Sequence, residues 1–240
     1  MTADSIEIAD LVTIAQFSEA VRVQETIWGF SDIDLLPVRF FVVASKIGGQ
    51  VFGAFDGARM VGFCLAIPGL KVDGMPYLHS HMLGVLPEYQ NFGLARRLKL
   101  HQKDNALVRG IELIEWTFDP LEVKNAYFNI GRLGAIVRRY ARNQYGTTSS
   151  HLTGGLPTDR CYAEWWIAES GSASEAVLES VRLPADIAAI RRSDPVRARS
   201  IQSEMADQFE SAFGRGLAVI GVERGEAWFT YLLGTREKTA

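Results

Sequence analysis

The chain has 240 residues, of which 48% are hydrophobic and 22% charged, ordinary globular usage that excludes both a disordered chain and a mini-protein in need of staples. Twenty-five Lys and Arg against 28 Asp and Glu give a formal charge of -3, and because the basic residues are scattered rather than gathered in a stripe, nucleic acid is not an expected partner. The N-terminus lacks the basic and apolar stretches of a secretory signal, and the least polar run, Met60 to Leu70, is too short to cross a bilayer, so no membrane is expected and a cytoplasmic location is the default.

Ile6 to Leu11 opens as a short alternating segment. From Thr13 to Trp28 the apolar residues Ile14, Phe17, Val21 and Ile27 recur at helical spacing. A second helix is expected from Pro37 to Ile47, ended by Gly48 and Gly49. Gln50 to Phe55, Met60 to Ile67 and Tyr77 to Leu86 then read as strands, separated by Asp56-Gly57 and by Lys71 to Met75. This is the pattern of an antiparallel meander. Next, Phe92 to Arg109 predicts a long helix closed by Gly110, with Leu94, Ala95, Leu98 and Ala106 on one face and Arg96, Lys99 and Lys103 clustered opposite. Leu113 to Phe118 is strand-like, Asp119-Pro120 is a helix-start signal, and Leu121 to Leu133 predicts a helix stopped at Gly134.

Further on, Ala135 to Tyr140 and Cys161 to Ile167 read as strands on either side of a loop from Gly146 to Pro157, and Glu169 to Glu175 as a linker. A helix follows with Asp194 as N-cap, Pro195 in its first turn and Gly214 as its stop; Leu217 to Val222 and Ala227 to Leu233 then form a hairpin turned at Arg224-Gly225. Cys64 and Cys161, far apart in apolar stretches, are expected as buried free thiols.

The most informative stretch runs from His79 to Ala95, a strand, a tight polar loop and a helix N-terminus. Such a junction presents free backbone N–H groups and the positive end of a helix dipole, which suits a pyrophosphate. Gly93 lets a backbone approach closely and Ala95 keeps the next contact small. By itself, Gln90-x-x-Gly93-x-Ala95 is also the pattern of an ordinary capped loop.

In this order of elements, with Val85-x-Pro87-Glu88 before the loop and Leu133-Gly134 later, the sequence resembles the GNAT N-acetyltransferase superfamily over residues 6 to about 167. Within it, Leu78-His-Ser-His-Met-Leu-Gly-Val85, Trp116-Thr-Phe-Asp-Pro120 and Asn125-Ala126 are similar to an uncharacterised bacterial branch. The resemblance implies an α/β (α+β) fold, a mixed and mostly antiparallel central sheet flanked by helices. An acyl-CoA domain is expected over 1–168, and a helix-and-hairpin extension packed on it over 176–240. The implied co-substrate is acetyl-CoA or another acyl-CoA, with no metal. Leu83, Gly84 and Val85 would pair with the pantetheine arm like an added strand, and Gln90, Asn91, Phe92, Gly93, Leu94, Ala95 and Arg96 would cradle the pyrophosphate. Asn125 and Asn129 lie near where the family places an Asn on the cofactor arm, at a shorter spacing to Gly134.

Acetyl transfer from a thioester to an amine needs a base for the amine, an oxyanion donor and a proton source for the thiolate. His79 and His81, two apart on a strand, point to one face and titrate near neutrality. Their spacing looks like that of arylalkylamine N-acetyltransferases, where such a pair relays the amine proton through water, and position 79 also matches the base Glu of the superfamily's histone acetyltransferases. The plainer reading is a pair of half-buried strand histidines; a zinc site would need ligands that the spacing does not supply. Glu115 can serve as another base, although alternation between Ile114 and Trp116 makes it a solvent-facing position. The family's thiolate-protonating Tyr is replaced by Ile130, leaving Tyr127 and Tyr140 as substitutes.

His101 reads as a packing residue, Arg138, Arg139 and Arg142 as a basic cluster for an anion or for solvent, and one of Trp165 and Trp166 as core. The expected activity is N-acetyl transfer to a small-molecule amine by direct attack. The alternative is a catalytically inactive acyl-CoA-binding sensor. A homodimer is possible, since the C-terminal hairpin must pack on something.

Overall fold

The computed structural model describes residues 6–29, 34–146, 155–168 and 176–235. His151, the expected linker Glu169 to Glu175 and most of the expected loop from Gly146 to Pro157 lie outside them. The chain forms two compact units, the first reaching Glu115 and the second starting at Trp116.

The first unit holds β1 (Glu7–Asp10), α1 (Ile14–Trp28), α2 (Val38–Lys46), β2 (Gln50–Asp56), β3 (Arg59–Leu70), β4 (Pro76–Val85), a 3-10 turn (Pro87–Tyr89), α3 (Leu94–Val108) and the start of β5 (Leu113–Phe118). The strands lie in the order β1-β2-β3-β4-β5. The first three pairings are antiparallel, those of β2 with β3 and β3 with β4 as the meander pattern predicts, and β4 with β5 is parallel. The helix α1 starts where Thr13 and Gln16 form a capping box and stops where Gly29 takes φ 58°. Its buried residues Phe17, Ala20 and Val23 face the core, where Phe17 meets Phe41 of α2 at 6.4 Å between ring centroids and Phe41 meets Phe63 of β3 at 5.9 Å. Every residue of β3 from Met60 to Ala66 is buried, so both its faces are covered, and β3 is the centre of this unit.

The second unit completes β5 and continues with α4 (Val123–Ala126), a π-helical turn (Tyr127–Arg132), β6 (Ile136–Ala141), β7 (Arg160–Trp166), β8 (Val177–Pro184), α5 (Ile187–Ser193), α6 (Pro195–Gly214), β9 (Ala218–Arg224) and β10 (Trp228–Gly234). Its strands run β7-β6-β9-β10-β8, and the pairings of β6 with β7 and β9 and of β10 with β9 and β8 are antiparallel. Asp194 caps α6 by accepting from the Arg197 N–H at 3.0 Å. Along that helix Ala198, Met205, Ala206, Phe209 and Ala212 are buried, and Phe209 packs on Tyr140, Phe213 and Tyr231. Cys64 and Cys161 are buried free thiols, as the sequence suggests.

Several expectations change. The long helix starts at Leu94, not Phe92, because Asn91 and Gly93 take left-handed φ of 69° and 77°. The single helix over Leu121 to Leu133 is one α-turn followed by a π-turn, closed by the Leu133 N–H on the Phe128 carbonyl at 3.1 Å. Lys99, placed by periodicity on the charged face of its helix, is 2% exposed. The strand β8 and the helix α5 have no counterpart in the sequence reading.

Candidate functional site

The ladder between β3 and β4 shifts register: Leu65 pairs with Met82 and Ala66 with Ser80, which leaves His81 as the extra residue of a β-bulge. The bulge does not separate the two histidines. Their ring centroids lie 5.8 Å apart, and the ring of Phe40 on α2 lies 5.9 Å from that of His81. His79 is half-buried and His81 exposed at one edge. Partial burial against this apolar neighbour pulls the His81 pKa below the ordinary imidazole value, so the ring is neutral, and able to accept a proton, at pH 7.

Opposite His79 in the parallel ladder stands Glu115. It is 3% exposed, which corrects the solvent-facing position expected from alternation. A neighbouring cation makes that burial tolerable: Lys71 Nζ lies 2.9 Å from Glu115 Oε1 and 4.6 Å from the centroid of the Tyr77 ring.

The β4–β5 ladder consists of Leu78 with Ile114 and His79 with Glu115. Beyond it β4 runs on to Val85, with β3 as its ladder partner. The Leu86 N–H donates to the Val61 carbonyl at 2.9 Å, so by the antiparallel alternation Gly84 and Leu86 turn their polar groups toward β3 while Leu83 and Val85 turn theirs to the other edge. That edge is where an extended ligand can be added as a strand. Gly84 is required here by close approach, since a Cβ would come within 2.7 Å of Ile27 and 2.9 Å of Trp28.

The strand leads into the turn that sets the loop. Tyr89 donates to Asp56 at 2.7 Å, and the Glu88 carboxylate pairs with Arg59 at 2.6 Å. Gln90 does not reach outward: its Nε2 donates to the Val85 carbonyl at 3.0 Å and ties the loop to the strand end. With Asn91 and Gly93 left-handed, the loop curls as an anion-binding nest does. The helix α3 then begins without a side-chain cap, and its first in-helix bond is the Arg97 N–H to the Gly93 carbonyl. The N–H groups of Leu94, Ala95 and Arg96 thus have no acceptor within the helix. A Cβ at Gly93 would meet nothing within 4 Å, so the space there is open. Phe92 is 54% exposed beside it.

In the second unit Asn125 is exposed and Asn129 is 5% exposed, so the two do not share one environment. Ile130, where the family carries its Tyr, is 4% exposed. Tyr127 is half-buried, with the guanidinium carbons of Arg132 and Arg224 5.3 and 5.1 Å from its ring centroid. Tyr140 is committed elsewhere: it donates to Asp159 at 2.7 Å, and burial pushes its pKa up. The basic cluster is divided among partners, with Arg138 on Glu164, Arg139 over the Tyr162 ring and Arg142 on Asp207 and Glu210. His101 packs edge-on against Phe52 at 4.6 Å, and Trp165 is the buried indole of its pair, edge-on to Trp116. Among the described residues there is no cluster of three or more metal-ligating side chains and no helix long and apolar enough to cross a membrane.

No family model matches the chain, and neither does any curated protein. Solved structures do. The ribosomal-protein-S18-alanine N-acetyltransferase of Escherichia coli is 20% identical, with a TM-score of 0.53 over 70% of this chain and 97% of that one. Aminoglycoside 6'-acetyltransferase type Ii is 16% identical, with a TM-score of 0.54 over 69% and 99%. The yncA protein of Salmonella typhimurium, solved with its cofactor acetyl-CoA, is 14% identical, with a TM-score of 0.53 over 71% and 99%. At these identities the likeness is one of fold, and the chain has the fold of the GNAT acetyltransferases.

Proposed function

We propose that this protein is an acetyl-CoA-dependent N-acetyltransferase acting on a small-molecule amine by direct attack, with no covalent enzyme intermediate. One observation carries the reading: the strand that holds the paired histidines leads, within one loop, into an uncapped helix N-terminus and carries an edge with outward backbone groups at Leu83 and Val85. Acyl-CoA is long and anionic. Its pantetheine amides would bond along the edge at Leu83 and Val85, beside Gly84, and its pyrophosphate would meet the N–H groups from Asn91 to Arg96. Gln90 contributes by fixing the loop to Val85.

The chemistry needs a neutral amine. His81, neutral at pH 7, takes the ammonium proton directly or through water, and His79 beside it passes the proton on. The Leu83 N–H would stabilise the oxyanion as the amine adds to the thioester carbonyl, leaving the Val85 N–H to the pantetheine arm. The CoA thiolate leaves and is protonated; Tyr127 is the donor we assign, because the Tyr140 hydroxyl is held by Asp159. Asn129 and Asn125 are assigned to the cofactor arm by the family resemblance, and Glu115 serves to hold Lys71 and Tyr77 beside His79.

Calorimetric titration with CoA and acetyl-CoA, together with thiol release across a panel of amines, tests the reading. Binding that is lost in Gly93→Glu, with turnover that is lost in His81→Gln, supports it. Absence of CoA binding to the wild-type chain overturns it. Binding with turnover at background on every amine would instead favour an acyl-CoA sensor, the reading that Ile130 in place of the family's Tyr supports.

A further inference from the structure

On the side of β4 away from the histidines lies a buried polar stitch that the proposed reaction does not use. Lys99 on α3 is 2% exposed and Ser80 on β4 is 5% exposed. Lys99 Nζ lies 2.7 Å from Ser80 Oγ and 3.1 Å from Gln102 Oε1, and Gln102 Nε2 lies 3.2 Å from Cys64 Sγ on β3. Gln50 on β2 joins through its Nε2, bonded to the Gln102 carbonyl at 3.0 Å and to Asn105 Oδ1 at 2.9 Å. One helix is thereby tied by polar side chains to three adjacent strands. A serine beside a lysine has the make-up of a nucleophilic dyad, but both side chains are buried, so no substrate meets them.

The position of Ser80 gives the stitch its consequence. Ser80 stands between His79 and His81 and, paired with Ala66, is the last ladder residue of β4 before the bulge. A bulge has no fixed place unless something fixes it, and a slip of one residue moves every following side chain to the opposite face. We propose that Lys99 is a positioning residue: holding Ser80 from beneath the sheet, it fixes the bulge at His81 and so keeps both imidazoles on one face. The functional value of that placement rests on the proton-relay reading of the two histidines; the placement itself does not.

The chain has four histidines, few enough for each imidazole to be followed by proton–nitrogen correlation NMR, with assignments from His79→Gln and His81→Gln. The probes are Lys99→Met and Ser80→Ala in the full chain, each checked for a cooperative melt and for CoA binding. The proposal expects the His79 and His81 signals to leave their wild-type positions together in both variants, while His101, packed on Phe52, keeps its own. With an acceptor amine in hand, kcat should fall about 10- to 100-fold with the Kd for CoA unchanged, as for a small displacement of a catalytic group. Unmoved His79 and His81 signals overturn the proposal, as does an equal movement of His101, which would mean general loosening. If Lys99→Met does not fold, Ser80→Ala decides alone. Signals that move as expected in a chain whose His81→Gln variant turns over normally would keep the positioning role and remove the proton relay.

Discussion

At the scale of single residues, the pH behaviour follows from two bases, His81 beside the Phe40 ring and the buried Lys99. His81 has its pKa lowered by burial, so the active neutral form is lost only when pH falls below the ordinary imidazole value of ~6.5. The acid limb of kcat/KM should therefore lie below that value, and His81→Gln should remove it while lowering kcat by about 10²- to 10⁴-fold; a pH–rate profile on both proteins checks this. Lys99 is shifted the same way, by burial, to about 8. Between pH 8 and the unfolded lysine value of ~10.4 the unfolded chain holds more protons than the folded one, so this residue's contribution to stability rises with pH. Against Lys99→Met, the wild-type unfolding free energy should gain up to about 1.4 kcal/mol per pH unit in that window, measured by urea denaturation at several pH values. The histidine pair is legible in the sequence because alternation along a strand has a fixed period. The burial of Lys99 is not: periodicity sorts side chains by charge, and it does not show partners such as Ser80 and Gln102, one of them on another element, that make an interior ammonium tolerable.

At the scale of elements, the segment from β4 to α3 shows how much a motif tells and where it stops. The spacing of Gln90, Gly93 and Ala95 marks a turn that would suit an anion, and the left-handed φ at Asn91 and Gly93 with an uncapped helix start gives that turn its geometry. What the spacing does not show is the use of Gln90, whose amide faces back to the Val85 carbonyl instead of forward to a ligand. Gly93→Glu places a carboxylate at the helix N-terminus, where the open space lies, and forces a non-glycine residue to φ 77°. It should abolish CoA binding in calorimetry and lower stability by ~1–2 kcal/mol, the cost of a left-handed L-residue. Gln90→Ala should weaken CoA binding less, since it loosens the loop without removing a backbone donor. The π-turn over Tyr127–Arg132 was not legible, because a helix pattern of apolar residues does not register a single i→i−5 bond such as that from Leu133 to Phe128.

At the scale of the whole chain, the sequence marks the C-terminal helix and hairpin but not what they join. The pairing of β9 with β6, Val219 opposite Val137, links residues 82 positions apart (219 minus 137), and local periodicity carries no trace of so distant a contact. Strand β8 carries little sequence signal for a related reason: only Val181 and Leu183 of its eight residues combine an apolar side chain with deep burial, so its alternation is short. The consequence concerns the division expected at residue 168. Ending the chain there removes α6, β8, β9 and β10, which supply Phe209, Phe229 and Tyr231, all 2% exposed or less, to the core of the second unit. It also leaves the Pro120 carbonyl without the Tyr231 hydroxyl that reaches it at 2.6 Å, and bares the β6 edge. Each buried aromatic lost costs ~3–5 kcal/mol, so three together are comparable with the whole ~5–15 kcal/mol that holds an ordinary domain together. A chain of residues 1–168 should therefore be insoluble or lack a cooperative melt, whereas Phe209→Leu in the full chain should still melt cooperatively at a lower temperature; a soluble, cooperatively melting 1–168 would show that the C-terminal elements are an appendage rather than part of the core.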